Sequence, residues 1–111
     1  GLTTAIEAAE VGYDVFLVEK KPYLGGRVAQ LNKYFPKLCP PSCGLDINFR
    51  RSKDNPRITC LTMAEVENRD GEAGNYNVSL KISPRYVKDN CTCCGECGKV
   101  CKTEIDNEYN F

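Results

Sequence analysis

The chain has 111 residues, which is enough for one small domain or for part of a larger protein. Lysine plus arginine equals aspartate plus glutamate at 15 each, so no basic surplus points to a nucleic-acid partner. Histidine is absent, which excludes zinc sites built from cysteine and histidine together and leaves thiolates and carboxylates as metal ligands.

The first third of the sequence predicts a helix, then a strand, then irregular structure. Residues 1–12 favour a helix that ends at Gly12. The apolar run over residues 13–20 is typical of a buried parallel strand. Residues 26–33 predict a short helix, whereas three prolines and a glycine exclude a helix from residues 34–44, YFPKLCPPSCG.

The middle of the sequence predicts a second helix and a hairpin. Residues 45–55 favour a helix that Pro56 stops. Residues 57–68 predict one strand with Cys60 as a core residue, and residues 75–82 alternate apolar and polar side chains as a second strand does. The turn-rich sequence RDGEAGN between them indicates a β-hairpin.

The helix and strand at the start of the chain have the spacing of a nucleotide site. Gly1 opens the helix and Glu19 ends the strand 18 positions later, close to the ~20 expected between a turn glycine and a ribose-binding carboxylate. The glycine lets backbone approach a pyrophosphate, and the helix N-terminus favours that anion. A helix and strand ending in glutamate also occur without a nucleotide, so this spacing alone leaves both interpretations open.

A double glycine strengthens the nucleotide interpretation. Glu19 is followed after five residues by Gly25, Gly26 and Arg27, and this pattern resembles flavoproteins with the glutathione-reductase type of FAD domain. The resemblance implies a partial Rossmann-like FAD-binding domain of the α/β class. It implies these cofactor-binding residues: Gly1, Glu19, Lys20, Gly25, Gly26 and Arg27.

Five of the eight cysteines lie between positions 91 and 101. Four of them fit C-x2-C-x2-C-x3-C, the bacterial ferredoxin run, and are the predicted ligands of a [4Fe–4S] cluster: Cys91, Cys94, Cys97 and Cys101. Lys102 replaces the usual proline, and Cys93 has no predicted ligand role. Whether Cys101 serves this cluster or another stays open, and a zinc site or disulfide framework is the alternative.

Cys39 and Cys43 form a second, smaller group in the proline-rich loop. One interpretation is a buried loop with two free thiols. The other is a pair of additional metal ligands or a redox-sensitive pair beside the flavin.

Residues 1–51 together with residues 84–101, PRYVKDNCTCCGECGKVC, resemble the A subunit of heterodisulfide reductase and its relatives. These are FAD and iron–sulfur proteins with a ferredoxin segment inserted into the FAD domain. The stretch KYFPKLCPPSCGLDINFRR most resembles the A subunit of the quinone-interacting membrane-bound oxidoreductase of sulfate reducers. That resemblance implies an electron-transfer oxidoreductase subunit, working with other subunits between a membrane quinol pool and adenylylsulfate reductase.

The expected organisation is therefore a fragment of a longer protein, inactive in isolation. Residues 1–88 are predicted to form part of an FAD-binding domain with a hairpin, and residues 89–111 an incomplete ferredoxin-like segment. No apolar run approaches the ~20 residues that span a bilayer, so we expect a cytoplasmic protein that reaches the membrane face through partners. The alternatives are a flavin-dependent disulfide or heterodisulfide reductase using Cys39 and Cys43, and a zinc-bearing interaction module.

Overall fold

The structure, a computed structural model, describes residues 1–88 and 90–108. It is an α/β arrangement with one parallel pair of strands and one antiparallel hairpin. In chain order the elements are α1 (Leu2–Glu10), β1 (Val15–Glu19), a 3₁₀ turn (Val28–Gln30), α2 (Ser42–Asp54), β2 (Ile58–Thr62), β3 (Ala64–Glu72), β4 (Asn75–Ile82) and α3 (Glu96–Val100). Of the predicted 89–111 segment, Asp89 and residues 109–111 lie outside the described residues.

Helix α1 agrees with the sequence prediction. It ends just before Gly12, whose φ of +112° is a conformation that glycine adopts without a steric penalty. Its buried residues Ala5, Ile6 and Ala9 lie on one side of the helix. Because α1 packs on β1 and β2, these side chains form the core between helix and sheet.

Strand β1 pairs with β2 in parallel, from Val15 opposite Ile58 to Glu19 opposite Thr62. Helix α2 lies in the connection between the two strands, as a parallel pair requires. The prediction of a buried strand is wrong, since no β1 residue is fully buried and Phe16 is 68% exposed. The sheet has only two strands in the described chain, which are too few neighbours to enclose β1.

Helix α2 begins three residues earlier than predicted, at Ser42 instead of Leu45. The prediction that proline excludes a helix up to residue 44 is therefore wrong for its last three positions. Pro41 occupies the N-cap position, where proline does no damage because the N–H groups of a first helical turn have no helical partner. The end at Asp54, ahead of Pro56, agrees with the prediction.

Arg51 joins the two long helices. Its Nη2 donates to Glu10 Oε2 at 2.7 Å and to Glu7 Oε1 at 3.2 Å, and its Nε donates to Glu10 Oε1 at 3.0 Å. The pKa of Arg51 is raised, chiefly by its hydrogen bond to Glu10. Fork-like pairing of this kind fixes geometry as well as charge, so it sets how α2 lies against α1.

The predicted strand over residues 57–68 is two strands. Met63, with φ of +55°, interrupts it between β2 and β3, so the chain turns out of the parallel sheet there. The hairpin prediction is confirmed: β3 pairs antiparallel with β4, and the register shifts once between Val66 and Asn68. Strand β4 has the predicted bounds, Asn75–Ile82.

One face of the hairpin is apolar and open to solvent. Tyr76, Val78 and Ile82 alternate along β4 and are 53%, 52% and 59% exposed. Among residues 1–88 and 90–108, no helix is both long enough and apolar enough to cross a bilayer.

Candidate functional site

The residues predicted to bind a nucleotide gather at the carboxyl end of β1. The chain reverses direction between α1 and β1 within residues 11–14, so Gly1 and Glu19 lie at the same end of the sheet. Glu19 is the last residue of β1, and its Oε1 accepts the Lys21 backbone N–H at 2.9 Å. In open α/β sheets ligands bind outside the carboxyl ends of the strands, and this is that edge.

The double glycine after β1 contains two different kinds of position. Gly25, at φ +108°, packs so closely that a Cβ there would lie 2.9 Å from Ala29 Cβ and 3.6 Å from Phe49 Cζ. Gly26, at φ +55°, has nothing within 4 Å of the place a Cβ would take. Gly25 therefore serves packing against α2, whereas Gly26 exposes bare backbone.

Open space at Gly26 fits a cofactor. Nothing lies within 4 Å of the position that a Cβ would take at this glycine. A carboxylate at Glu19 and backbone free of side chains are the groups that ribose hydroxyls and a pyrophosphate need. The donor set of this chain is therefore compatible with an FAD.

Lys20 and Arg27 have different surroundings from those of Glu19. The Nζ of Lys20 pairs with Glu65 Oε1 at 3.0 Å, with side chains 75% and 54% exposed, so Lys20 contacts the hairpin. Arg27 is exposed and directly precedes the 3₁₀ turn. The structure thus places Lys20 in an ion pair with Glu65, and its role in cofactor binding stays a prediction.

A cavity of about 940 Å³ lies beside the double glycine. Its apolar wall includes Leu24 and Ala29 from the loop side, and Leu45 and Phe49 from α2. Sequence reasoning missed it, although Leu45 and Phe49 have the four-residue spacing of one helix face. Cys60 also lines it and is exposed, so the prediction of a core cysteine is wrong.

All eight cysteines are free, so the disulfide framework is not formed. In the cysteine segment (residues 91–101), Gly95 adopts φ +80° as the N-cap of α3, which carries Cys97. The N–H of Cys101 bonds to the Cys97 carbonyl at 3.1 Å, which places these two cysteines one helical turn apart. The N–H of Cys93 donates to Cys91 Sγ at 3.4 Å.

The structure does not bring the predicted metal ligands together as a formed site. Within residues 1–88 and 90–108, no three cysteine, aspartate or glutamate side chains converge as metal ligands do. The cysteine segment does supply five exposed thiols, four of them at the ferredoxin spacing, and a backbone N–H that donates to one sulfur. The ligand set Cys91, Cys94, Cys97 and Cys101 stays a prediction from spacing.

Cys39 and Cys43 lie on either side of the start of α2. Cys39 is half-buried, and its Sγ lies 3.6 Å from the Lys37 carbonyl oxygen. Cys43 is exposed in the first turn of α2. The buried-loop interpretation is therefore wrong for Cys43, while a ligand or redox role for either thiol stays a prediction.

A contact that the sequence did not predict joins the end of the described chain to the nucleotide half. One oxygen of Glu108, Oε2, accepts from Lys21 Nζ at 2.5 Å, Tyr23 OH at 2.7 Å and Gln30 Nε2 at 2.8 Å. The hydrogen bond from Lys21 lowers the pKa of Glu108, and the same bond raises the pKa of Lys21. No short sequence pattern signals a contact between residues so far apart.

No family model matches the chain. The chain is 42% identical over 99% of its length to the second iron–sulfur A subunit of CoB–CoM heterodisulfide reductase from Methanopyrus kandleri, of which it covers 17%. It is 40% identical over 99% of its length to the A subunit of ferredoxin:CoB–CoM heterodisulfide reductase from Methanosarcina acetivorans, covering 14%. Against a protein of Archaeoglobus profundus named as similar to the heterodisulfide reductase A subunit, the identity is 37% over 99% of the chain, covering 16%. The chain is similar to one segment of the heterodisulfide reductase A subunit.

That similarity supports the broader of the two resemblances found in the sequence. The chain spans 17% of the length of the Methanopyrus relative, so the similarity concerns one segment of a much larger polypeptide. The words "iron–sulfur" stand in that relative's name, as the cysteine spacing predicts. None of the three names mentions a quinol pool, sulfate reduction or adenylylsulfate reductase.

Proposed function

We propose that this chain is part of an oxidoreductase subunit of the heterodisulfide reductase type that transfers electrons through a flavin and an iron–sulfur cluster. The observation that carries this proposal is a juxtaposition. The loop that follows Glu19 and leads to Gly25 and Gly26 also holds the chain just beyond the cysteine segment, through Glu108. One loop therefore contacts both the predicted nucleotide half and the chain that follows the predicted cluster ligands.

In this proposal the chain binds FAD at the carboxyl end of β1. The Glu19 carboxylate would accept ribose hydroxyls, and backbone at Gly1 and Gly26 would approach the pyrophosphate. Arg27, next in sequence to Gly26, would add a positive charge near the pyrophosphate. The flavin, when bound, supplies two-electron chemistry that one-electron carriers can share.

The cluster in this proposal is held by thiolates of the cysteine segment. Cys91, Cys94, Cys97 and Cys101 are the ligands, and Cys93 is a neighbouring thiol whose N–H bonds to the Cys91 sulfur. Hydrogen bonds to sulfur and solvent exposure are what tune the potential of such a cluster. This chain supplies both factors: the Cys93 N–H donates to a sulfur, and the five thiols are exposed.

The similarity to heterodisulfide reductases favours disulfide chemistry over quinol-linked sulfate reduction as the activity of the whole protein. The relatives are named for the CoB–CoM heterodisulfide, and a substrate of that class would need two electrons and two protons. Cys39 and Cys43 are a second candidate for delivering them, because both thiols are free and Cys43 is exposed. Other subunits of a redox complex are the proposed partners, and adenylylsulfate reductase remains only an implication of the sequence resemblance.

Two neighbouring thiols provide the test of the cluster. In protein purified without oxygen, Cys94→Ser should remove most of the iron and labile sulfide, because a thiolate ligand is lost. Cys93→Ser, the matched control, should keep both. Iron analysis and absorption near ~400 nm measure the outcome. Zinc in place of iron, or equal iron loss in the two variants, would overturn the assignment.

A double variant separates the two roles of the proline-rich loop. If Cys39 and Cys43 only fill space, Cys39→Ser with Cys43→Ser should leave flavin content, iron content and disulfide reduction unchanged. If they form the dithiol, disulfide reduction should disappear while both cofactors stay at their normal content. Parallel flavin, iron and activity measurements on the intact complex decide between these outcomes.

A further inference from the structure

The cysteine segment is attached to the nucleotide half on both of its sides. We define the exit loop as residues 20–24, which lead away from β1. On the C-terminal side of the segment, Glu108 accepts hydrogen bonds from Lys21 and Tyr23 of the exit loop and from Gln30 beyond it. Three donors on one carboxylate oxygen, one of them charged, make a directional contact that a single ion pair does not.

The attachment on the N-terminal side uses the same exit loop. Arg85 Nη2 donates to the carbonyl oxygen of Pro22 at 3.2 Å and also to Thr62 Oγ1. Backbone bonds support this approach: Met63 N–H donates to the Lys21 carbonyl at 3.2 Å, and Ser83 N–H donates to the Met63 carbonyl at 2.8 Å. The chain therefore contacts the exit loop just before the cysteine segment, through Arg85, and again after it, through Glu108.

Chain length limits how far the cysteines can move from these anchors. Cys91 follows Arg85 by six residues, and a fully extended chain of that length reaches at most ~22 Å. Cys101 precedes Glu108 by seven residues, which reach at most ~25 Å. With both anchors closed, the first and last predicted ligands stay within those spans of Arg85 and Glu108, the residues that contact the exit loop.

We infer that Glu108 is a positioning residue, whose contact with Lys21, Tyr23 and Gln30 closes the cysteine segment onto the exit loop and so fixes the cluster's distance from the flavin site. The inference rests on the proposed function only for the two cofactors. The contact itself is independent of them, since it is made by side chains of this chain alone. Breaking the Glu108 contact leaves only the Arg85 contact of these two anchors.

Carbodiimide coupling of the purified protein tests the contact directly, because this reagent joins a lysine amine to a carboxylate only when the two touch. Mass spectrometry should find Lys21 joined to Glu108. The pair Lys20 and Glu65, 3.0 Å apart, serves as the internal standard. Tyr23→Phe should reduce the Lys21–Glu108 product about two- to fivefold, the range for exposed charged contacts, without changing the standard. A strong standard with no Lys21–Glu108 product overturns the inference.

A charge exchange tests the positioning role in the intact, cofactor-loaded protein. Lys21→Glu and Glu108→Lys should each slow electron transfer from reduced flavin to cluster, and the double variant should recover most of the rate. Glu104→Gln, which removes a charge between the cysteine segment and Glu108, is the matched control and should leave the rate unchanged. Unaltered rates in both single variants, with normal flavin and iron contents, would overturn the inference. Absence of flavin or iron from the unaltered protein would instead overturn the proposed function, and the coupling experiment would still judge the contact.

Discussion

Gly25 and Gly26 are neighbours in sequence and both have positive φ, but only at Gly25 does packing also exclude a side chain. Gly25 has no room for a side chain, because Ala29 and Phe49 occupy the adjoining space. Gly26 has the room, and its φ of +55° lies in the left-handed region that non-glycine residues enter at a cost of about 1 kcal/mol. Of the two, only Gly26 has open space at its Cβ position, where a ligand could approach.

This difference predicts opposite profiles for two alanine variants. Gly25→Ala should lower the free energy of unfolding by about 1–3 kcal/mol, because the new methyl overlaps Ala29 and alanine is strained at the Gly25 φ of +108°. Gly26→Ala should lower it by only about 1 kcal/mol while weakening FAD binding more than Gly25→Ala does for equal folded protein. Denaturant unfolding and a flavin titration measure the two effects. Equal destabilisation with unchanged flavin affinity would contradict this account.

At the scale of elements, sequence pattern predicted what depends on neighbouring residues. Helix α1, its stop at Gly12, the end of α2 and the bounds of β4 all follow from local periodicity and helix-breaking residues. The start of α2 did not, because Pro41 looks like a breaker until its position at the N-cap is known. The interruption at Met63 has no local signal, since methionine carries no preference for φ above zero.

Features of the candidate site likewise fall into those that local sequence predicts and those that only the folded arrangement shows. The spacing of Glu19, Gly25 and Gly26 is local, and the structure gathers these residues at one edge of the sheet. The burial expected for Cys60 depends on how many strands flank β2, which one short segment does not encode. The Glu108 contact joins exposed polar residues whose types occur throughout the chain, so only the folded arrangement identifies it.

At the scale of the whole molecule, the contact that holds the cysteine segment has a defined pH window. The pKa of Glu108 is below its ordinary value of 4.5, so its contribution is present above pH 4.5 and is lost as pH falls through the lowered pKa. The pKa of Lys21 is above its ordinary 10.5, so its contribution is present below pH 10.5 and is lost as pH rises through the raised pKa. The contact is therefore intact throughout the neutral range.

We accordingly predict that acid releases the cysteine segment from the exit loop in a titration with a defined midpoint, whereas salt at neutral pH weakens the contact only gradually. Nuclear magnetic resonance of the Glu108 side-chain carboxyl should give a midpoint below 4.5, and Lys21→Met should move that midpoint upward. Raising salt at pH 7 should weaken the contact gradually, since its charges are exposed. An unchanged Glu108 midpoint in Lys21→Met would contradict the prediction.

Both sheets of the described chain are two-stranded, so each strand has one partner and one unpaired edge. Rows of free N–H and C=O groups are templates for pairing with another chain. The hairpin adds an apolar face on which Tyr76, Val78 and Ile82 are more than half exposed. The consequence concerns solubility. Molecules of this chain alone would associate through these strand edges at high concentration, and a larger assembly that covers the edges would prevent it.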